Sequence, residues 1–123
     1  GMVGYFYDSY AILEYYEGND DYRDPFEFSE GIIAYPNLLE VYYSLLTRFS
    51  RKDADRVLDA FHPLVRHPTK DELRKAAIFR KEHNQRNISF ADALGYVMAK
   101  ERGFRFLTGD KEFETMKNVE FRK

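Results

Sequence analysis

"DALGYVMAKERGFRFLTGDKEF", residues 92–113, carries the decisive pattern. Small and apolar side chains from Ala93 to Ala99 recur at helical spacing, and Gly103 stands where a helix ends on a left-handed residue. "FRFLT" then reads as a buried strand, and Thr108-Gly109 leads straight into Asp110. An acid at the tip of a buried strand either caps a turn or belongs to a site at the edge of a sheet.

The elements around this stretch repeat its logic. "VGYFY" is a strand that feeds the helix "DSYAILEYYEG", stopped at Gly18, and "EGIIAY" is a second strand. "PNLLEVYYSLLTRF" is a helix with Pro36 in its first turn and Leu38, Leu39, Tyr42, Leu45, Leu46 and Phe49 as its expected apolar stripe. Ser50 caps "SRKDADRVLDAFHPL", with Val57, Leu58 and Phe61 at core spacing. Thr69 and Glu72 form a capping box for "TKDELRKAAIFRKEHN", whose expected buried residues are Leu73, Ala76, Ala77 and Phe79. Ser89 opens the helix that contains Asp92, and "NVEF" is a short edge strand. The polar segment from Gly18 to Pro25 reads as a loop. This alternation predicts an α/β fold: a mainly parallel central sheet of four to five strands, flanked by helices and joined by right-handed crossovers.

Composition agrees with that frame. The chain has 123 residues, 44% hydrophobic and 17% aromatic, which is enough for a single domain with its own core over residues 2–123. Gly1 ahead of Met2 reads as a tag remnant. Without cysteine there is neither a disulfide framework nor a thiolate metal site. No stretch is apolar enough for a membrane span and no export signal opens the chain, so a cytoplasmic location is expected. The three histidines, His62, His67 and His83, match no metal spacing.

Charge is unevenly spread. Residues 1–47 hold one base against nine acids, residues 48–86 eleven bases against six acids, and the remainder seven against six. The basic middle suits either the solvated faces of two helices or a surface for phosphates.

The same rule that places ligands at the carboxyl ends of parallel strands gathers the acids. Asp8 ends the first strand, Asp110 ends the later one, Asp92 opens the helix between two elements of the sheet, and Glu40 lies one turn into its helix. Each also has a structural duty open to it: Asp8 or Ser9 as a cap, Asp110 as a turn cap, Asp92 as the capping-box partner of Ser89, and Glu40 at the positive end of its helix. Four carboxylates brought together repel one another unless a cation sits among them. Oxygen ligands without Cys or His favour Mg²⁺ or Mn²⁺ over Zn²⁺.

"YFYDSYAILEYYEG", "IIAYPNLLEVYYSLL" and "DALGYVMAKERGFRFLTGDKEF" together resemble the PIN-domain ribonucleases, and among them the VapC-like toxins of type II toxin-antitoxin systems. The resemblance covers nearly the whole chain and implies a three-layer PIN-like fold. It matches Asp8, Glu40, Asp92 and Asp110 to the family's catalytic, metal-holding acids, Glu40 directly or through water. Ser9 and Thr108 match hydroxyl positions that orient carboxylates or water. Gly109 stands where the family often has a larger polar residue, and Asn37 where it often has a hydroxyl.

The activity so implied is hydrolysis of RNA phosphodiester bonds by an endoribonuclease with one or two Mg²⁺ or Mn²⁺ ions, two such ions lying about 4 Å apart. Arg48, Arg51, Lys52, Arg74 and Lys75 are expected to face RNA. The implied partners are the RNA substrate, a cognate antitoxin and a second copy of the chain, with no membrane. Tyr10, Tyr15, Tyr16, Tyr22, Phe26 and Phe28 are either core or a groove for an antitoxin helix. A non-catalytic PIN-fold interaction module is the alternative. Receiver and haloacid-dehalogenase sites fit poorly, because both want a second acid near Asp8 and find Ser9 and Tyr10.

Overall fold

Parallel pairing of Tyr5 with Arg105 and of Tyr7 with Leu107 joins the two ends of the chain at the middle of a sheet. The computed structural model describes residues 4–123, so Gly1, Met2 and the Val3 expected to start the first strand lie outside the described residues. Strands β1 (Gly4–Tyr7), β2 (Glu30–Ile32), β3 (Arg105–Thr108) and β4 (Val119–Phe121) are ordered β2-β1-β3-β4 and are parallel throughout. The chain leaves β1 toward β2 on one side and returns to β3 on the other. The crevice beyond the carboxyl ends of β1 and β3 is therefore the switch point of the sheet.

Six helices cover the two faces: α1 (Ser9–Tyr16), α2 (Arg23–Glu27), α3 (Tyr35–Arg48), α4 (Arg51–Phe61), α5 (Lys70–Glu82) and α6 (Phe90–Arg102). Alternation along the strands assigns the layers. Tyr5, Tyr7 and Leu107 pack with Ile12, Leu38, Val41, Leu45 and Val57 of α1, α3 and α4. Phe6 and Phe106 pack with Ala76 of α5 and Ala93, Val97 and Met98 of α6. The result is the expected three-layer α/β arrangement, with the strand count at four.

Local signals hold where they were strongest. Ser50 accepts from Asp53 N, the Thr69–Glu72 and Ser89–Asp92 boxes both close, and Gly103 ends α6 at φ 76°. Three expectations are corrected. Gly18–Pro25 is not a plain loop: it holds a 3-10 turn, Asp20–Tyr22, and the start of α2, held by the fully buried Tyr22 ring. On α3, Val41 is buried while Leu39, Leu46 and Phe49 are exposed, because only the face of Leu38, Val41 and Leu45 meets the sheet. On α5, Leu73 and Ala77 face solvent and Glu72 is buried, since Arg102 of α6 covers that carboxylate.

Candidate active site

The three aspartates perform their structural duties and also act on one another electrostatically, so for them the two readings open at the sequence level are compatible; Glu40 lies beyond the first turn of α3 and does not serve its positive end. Asp8 is the N-cap of α1: its Oδ1 accepts from Ser9 N at 2.8 Å and its Oδ2 from Thr108 Oγ1 at 2.7 Å. It is buried, at 2% exposure. Asp110 caps the 3-10 turn Lys111–Phe113, accepting from Glu112 N at 3.0 Å, and its own N donates to Thr108 Oγ1 at 3.0 Å. Thr108, buried at the end of β3, thereby ties Asp8 to Asp110.

Asp92 reaches the same place from the first turn of α6. Its Oδ2 accepts from Ser89 N at 3.0 Å, and its N donates to Ser89 Oγ at 3.0 Å. Glu40 enters from α3, where its Oε1 accepts from Ser9 Oγ at 2.9 Å. Ser9 Oγ also lies 3.3 Å from the Asn37 carbonyl, which links α1 to the first turn of α3. Asn37 is fully buried and donates weakly from Nδ2 to Ala91 O at 3.4 Å.

Electrostatics report the convergence. Burial pushes the Asp8 carboxyl well above the usual carboxylate range, with the charge of Asp92 and then of Asp110 adding to the rise. Asp92 is raised by burial, opposed by its bonds to Ser89, and Asp110 adds a repulsive contribution. Glu40 is raised by burial, opposed by Ser9, with Asp92 again repulsive. The charges acting on Asp8 are thus negative.

Oxygen-only donors with uncompensated negative charge fit a hard divalent cation. Among the described residues, no group of three or more His, Asp or Glu side chains is already closed to metal-ligand spacing.

The expected RNA-facing bases are scattered. Arg48 pairs with Glu17 at 2.7 Å, Arg51 lies 3.6 Å from Asp55, and Lys75 pairs with Asp71 and Glu101. Lys52 and Arg74 are exposed. The bridges Glu72–Arg102 and Lys75–Glu101 show that α5 runs antiparallel to α6, so Arg74 and Lys75 lie near the end of α6 remote from Asp92. Arg86 is nearer the acids, donating to Glu112 O at 2.7 Å, and Arg80 stacks on the exposed Phe90 at 4.9 Å. Only the antiparallel return of α5 reveals these two positions, although both belong to the basic stretch.

The N-terminal aromatics are mostly packing. Phe26 stacks between Tyr7 and Tyr15 at centroid distances of 4.0 and 4.4 Å, Tyr22 is fully buried, and only Phe28 is well exposed. Tyr10 is different: its ring lies over Gly109, beside Asp110. Among the described residues no helix is long and apolar enough to cross a membrane.

Solved structures share this architecture at low identity. The VapC20 toxin of Mycobacterium tuberculosis, which cleaves the sarcin-ricin loop, is 20% identical with a TM-score of 0.77 over 97% of this chain and 99% of that one. VapBC2 of Rickettsia felis, bound to a DNA fragment from its promoter, gives 18% and 0.73 over 98% of each chain. PAE2754 of Pyrobaculum aerophilum gives 21% and 0.62 over 97% of this chain and 89% of that one. No curated protein matches the chain in sequence. The family model for the PIN domain matches residues 5–119, from β1 to the start of β4 with Asp8, Glu40, Asp92 and Asp110 included, and the chain belongs to the PIN domain family.

Proposed function

We propose that the chain is an endoribonuclease that hydrolyses RNA phosphodiester bonds with Mg²⁺ or Mn²⁺ and serves as the toxin of a toxin-antitoxin pair. The observation that carries this reading is the convergence of Asp8, Asp92 and Asp110 at the β1/β3 switch point, each raising or feeling the charge of another. In this reading Asp8, Asp92 and Asp110 hold the cation, with Glu40 direct or through water. The cation would supply activation of water and neutralisation of phosphate charge. Thr108 and Ser9 hold Asp8 and Glu40 in place by the bonds already described. Arg80 and Arg86 join the exposed Lys52 as candidates for phosphate contact, and Arg74, at the far end of α6, is a candidate only for a strand that runs on past the acids.

The partner reading is supported by the fold shared with VapC20 and VapBC2. On this chain, Leu39, Tyr43, Leu46 and Phe49 leave an apolar row exposed along α3, suited to an antitoxin helix or to a second copy. A cytoplasmic location and a single domain over residues 2–123 belong to the same proposal.

The test is cleavage of a mixed structured RNA pool by antitoxin-free protein with Mg²⁺ or Mn²⁺, against EDTA and an Asp8→Asn, Asp110→Asn double variant shown to fold. Metal-dependent cutting that is lost in the variant is expected. The open spacing of the acids favours a second reading, a non-catalytic interaction module, and intact RNA in every reaction would select it.

A further inference from the structure

Gly109 sits between Thr108 and Asp110, the two residues that tie β3 to the acid cluster. A Cβ built on it would lie 2.3 Å from Tyr10 Cε1, 2.8 Å from Tyr10 Cζ and 2.5 Å from the Arg122 carbonyl oxygen. Cε1 and Cζ belong to the hydroxyl end of the ring. The phenol of Tyr10 therefore occupies the space that any other residue at 109 would claim, next to Asp110.

Three neighbouring tyrosine hydroxyls are committed, whereas those of Tyr5 and Tyr16, farther from Gly109, are not. Tyr7 donates to Pro25 O at 2.7 Å, Tyr15 to Glu27 Oε2 at 3.0 Å, and Tyr22 to Arg122 O. Among the described residues Tyr10 Oη makes no such bond, and the residue is only half-buried. Its ring is held from behind by Tyr22, with centroids 6.4 Å apart. A phenol is protonated at neutral pH and can donate. A donor with no protein acceptor, packed on Tyr22 and lying beside Gly109 and Asp110, is free to bond an anion that arrives from outside.

We infer that Tyr10 contacts the substrate, its hydroxyl donating a hydrogen bond to a phosphate oxygen of the RNA strand on the Asp110 side of the crevice, in a position that Gly109 keeps open. The inference rests on the nuclease reading. It adds a neutral donor to a site whose other hydroxyls, Ser9 and Thr108, are spent on the acids.

Tyr10→Phe removes the hydroxyl and keeps the ring. Binding of a fluorescein-labelled, phosphorothioate-linked RNA oligonucleotide is measured by anisotropy with Mn²⁺, alongside cleavage of the unmodified strand and thermal melts with and without Mn²⁺. Expected are a loss of about tenfold to a hundredfold in RNA affinity or kcat/KM, the size of one hydrogen bond to a charged group, and an unchanged Mn²⁺-induced rise in melting temperature. Tyr15→Phe, whose hydroxyl bonds Glu27, should bind RNA as the parent does. Equal binding and cleavage by Tyr10→Phe and the parent would overturn the inference while leaving the nuclease intact. A loss accompanied by a collapsed Mn²⁺ response would assign Tyr10 to packing of the acid cluster instead. No RNA bound or cut by the parent would remove both readings.

Discussion

Two buried carboxylates, Glu72 and Asp8, meet opposite treatment in this molecule. Glu72, 4% exposed near the start of α5, receives Arg102 Nη2 and Nε at 2.8 and 2.9 Å. Its carboxyl is held below the usual range, by Arg102 first. Asp8, 2% exposed at the end of β1, accepts two neutral hydrogen bonds and faces further acids, and its carboxyl is held well above that range. Both are shielded from solvent, Asp8 the more deeply, and only Glu72 has a cation. One carboxylate has its counter-charge within the fold, and the other has only negative charges among the ionised neighbours that shift it.

Breaking the self-sufficient end should have the largest effect. Arg102→Met strands a buried carboxylate and is expected to cost about 3 kcal/mol, read as a lower urea midpoint at unchanged slope. The same kind of subtraction at the other end should reverse sign. Asp92→Asn keeps an oxygen for Ser89 N and removes the charge that most raises Asp8 after burial. Metal-free stability should rise by about 1 kcal/mol, and the Mn²⁺-induced increase in melting temperature should vanish.

Acid titration sharpens the contrast. A raised folded pKa means that the folded state holds more protons, so the Asp8 cluster destabilises the metal-free protein increasingly as pH rises above the ordinary carboxylate value of 3.8. Stability should therefore grow as pH is lowered toward the ordinary carboxylate range, a gain opposed below 4.5 as protonation of Glu72 removes the Arg102 bridge. Metal-dependent cleavage should move the other way from the first limb, declining from pH 8 to 5 as the acids lose their charge. A flat rate profile would count against carboxylate ligation. The smallest effect belongs to a surface pair: Arg48→Ala breaks the bridge to Glu17, both ends partly exposed, and should cost less than about 1 kcal/mol by thermal melt.

The contrast also explains what the sequence could disclose. Caps and stops act within four residues, so Ser50, Thr69–Glu72, Ser89–Asp92 and Gly103 were legible from local chemistry, and with them the order of strands and helices. Asp8, Asp92 and Asp110 could be placed for the same reason, since strand ends and helix starts are where those signals lie; their role in catalysis belongs to the proposal. The buried face of α3 did not, because apolar residues surround that helix, and only the sheet decides that Val41 enters while Leu39 and Tyr43 stay out. Helix α2 depends on Tyr22, whose hydroxyl finds its acceptor at Arg122, a hundred residues along the chain. Pairing partners of the bases, such as Arg102 with Glu72 or Arg86 with Glu112 O, are likewise set by how α5 returns along α6.

Thr108 lends its place at the tip of β3 a sense of direction. Its hydroxyl accepts from the Asp110 amide and donates to Asp8. A peptide N–H can only donate, so the hydroxyl hydrogen is turned away from it and toward β1. The carboxylate oxygen waiting there is thereby addressed as an acceptor, in the state that carries charge. A covalent property of one backbone is relayed through a single hydroxyl to the neighbouring strand, and it works against the burial that would otherwise silence the acid. Serine could pass the same message from that position, whereas valine, nearly identical in shape, would leave both ends of it unread.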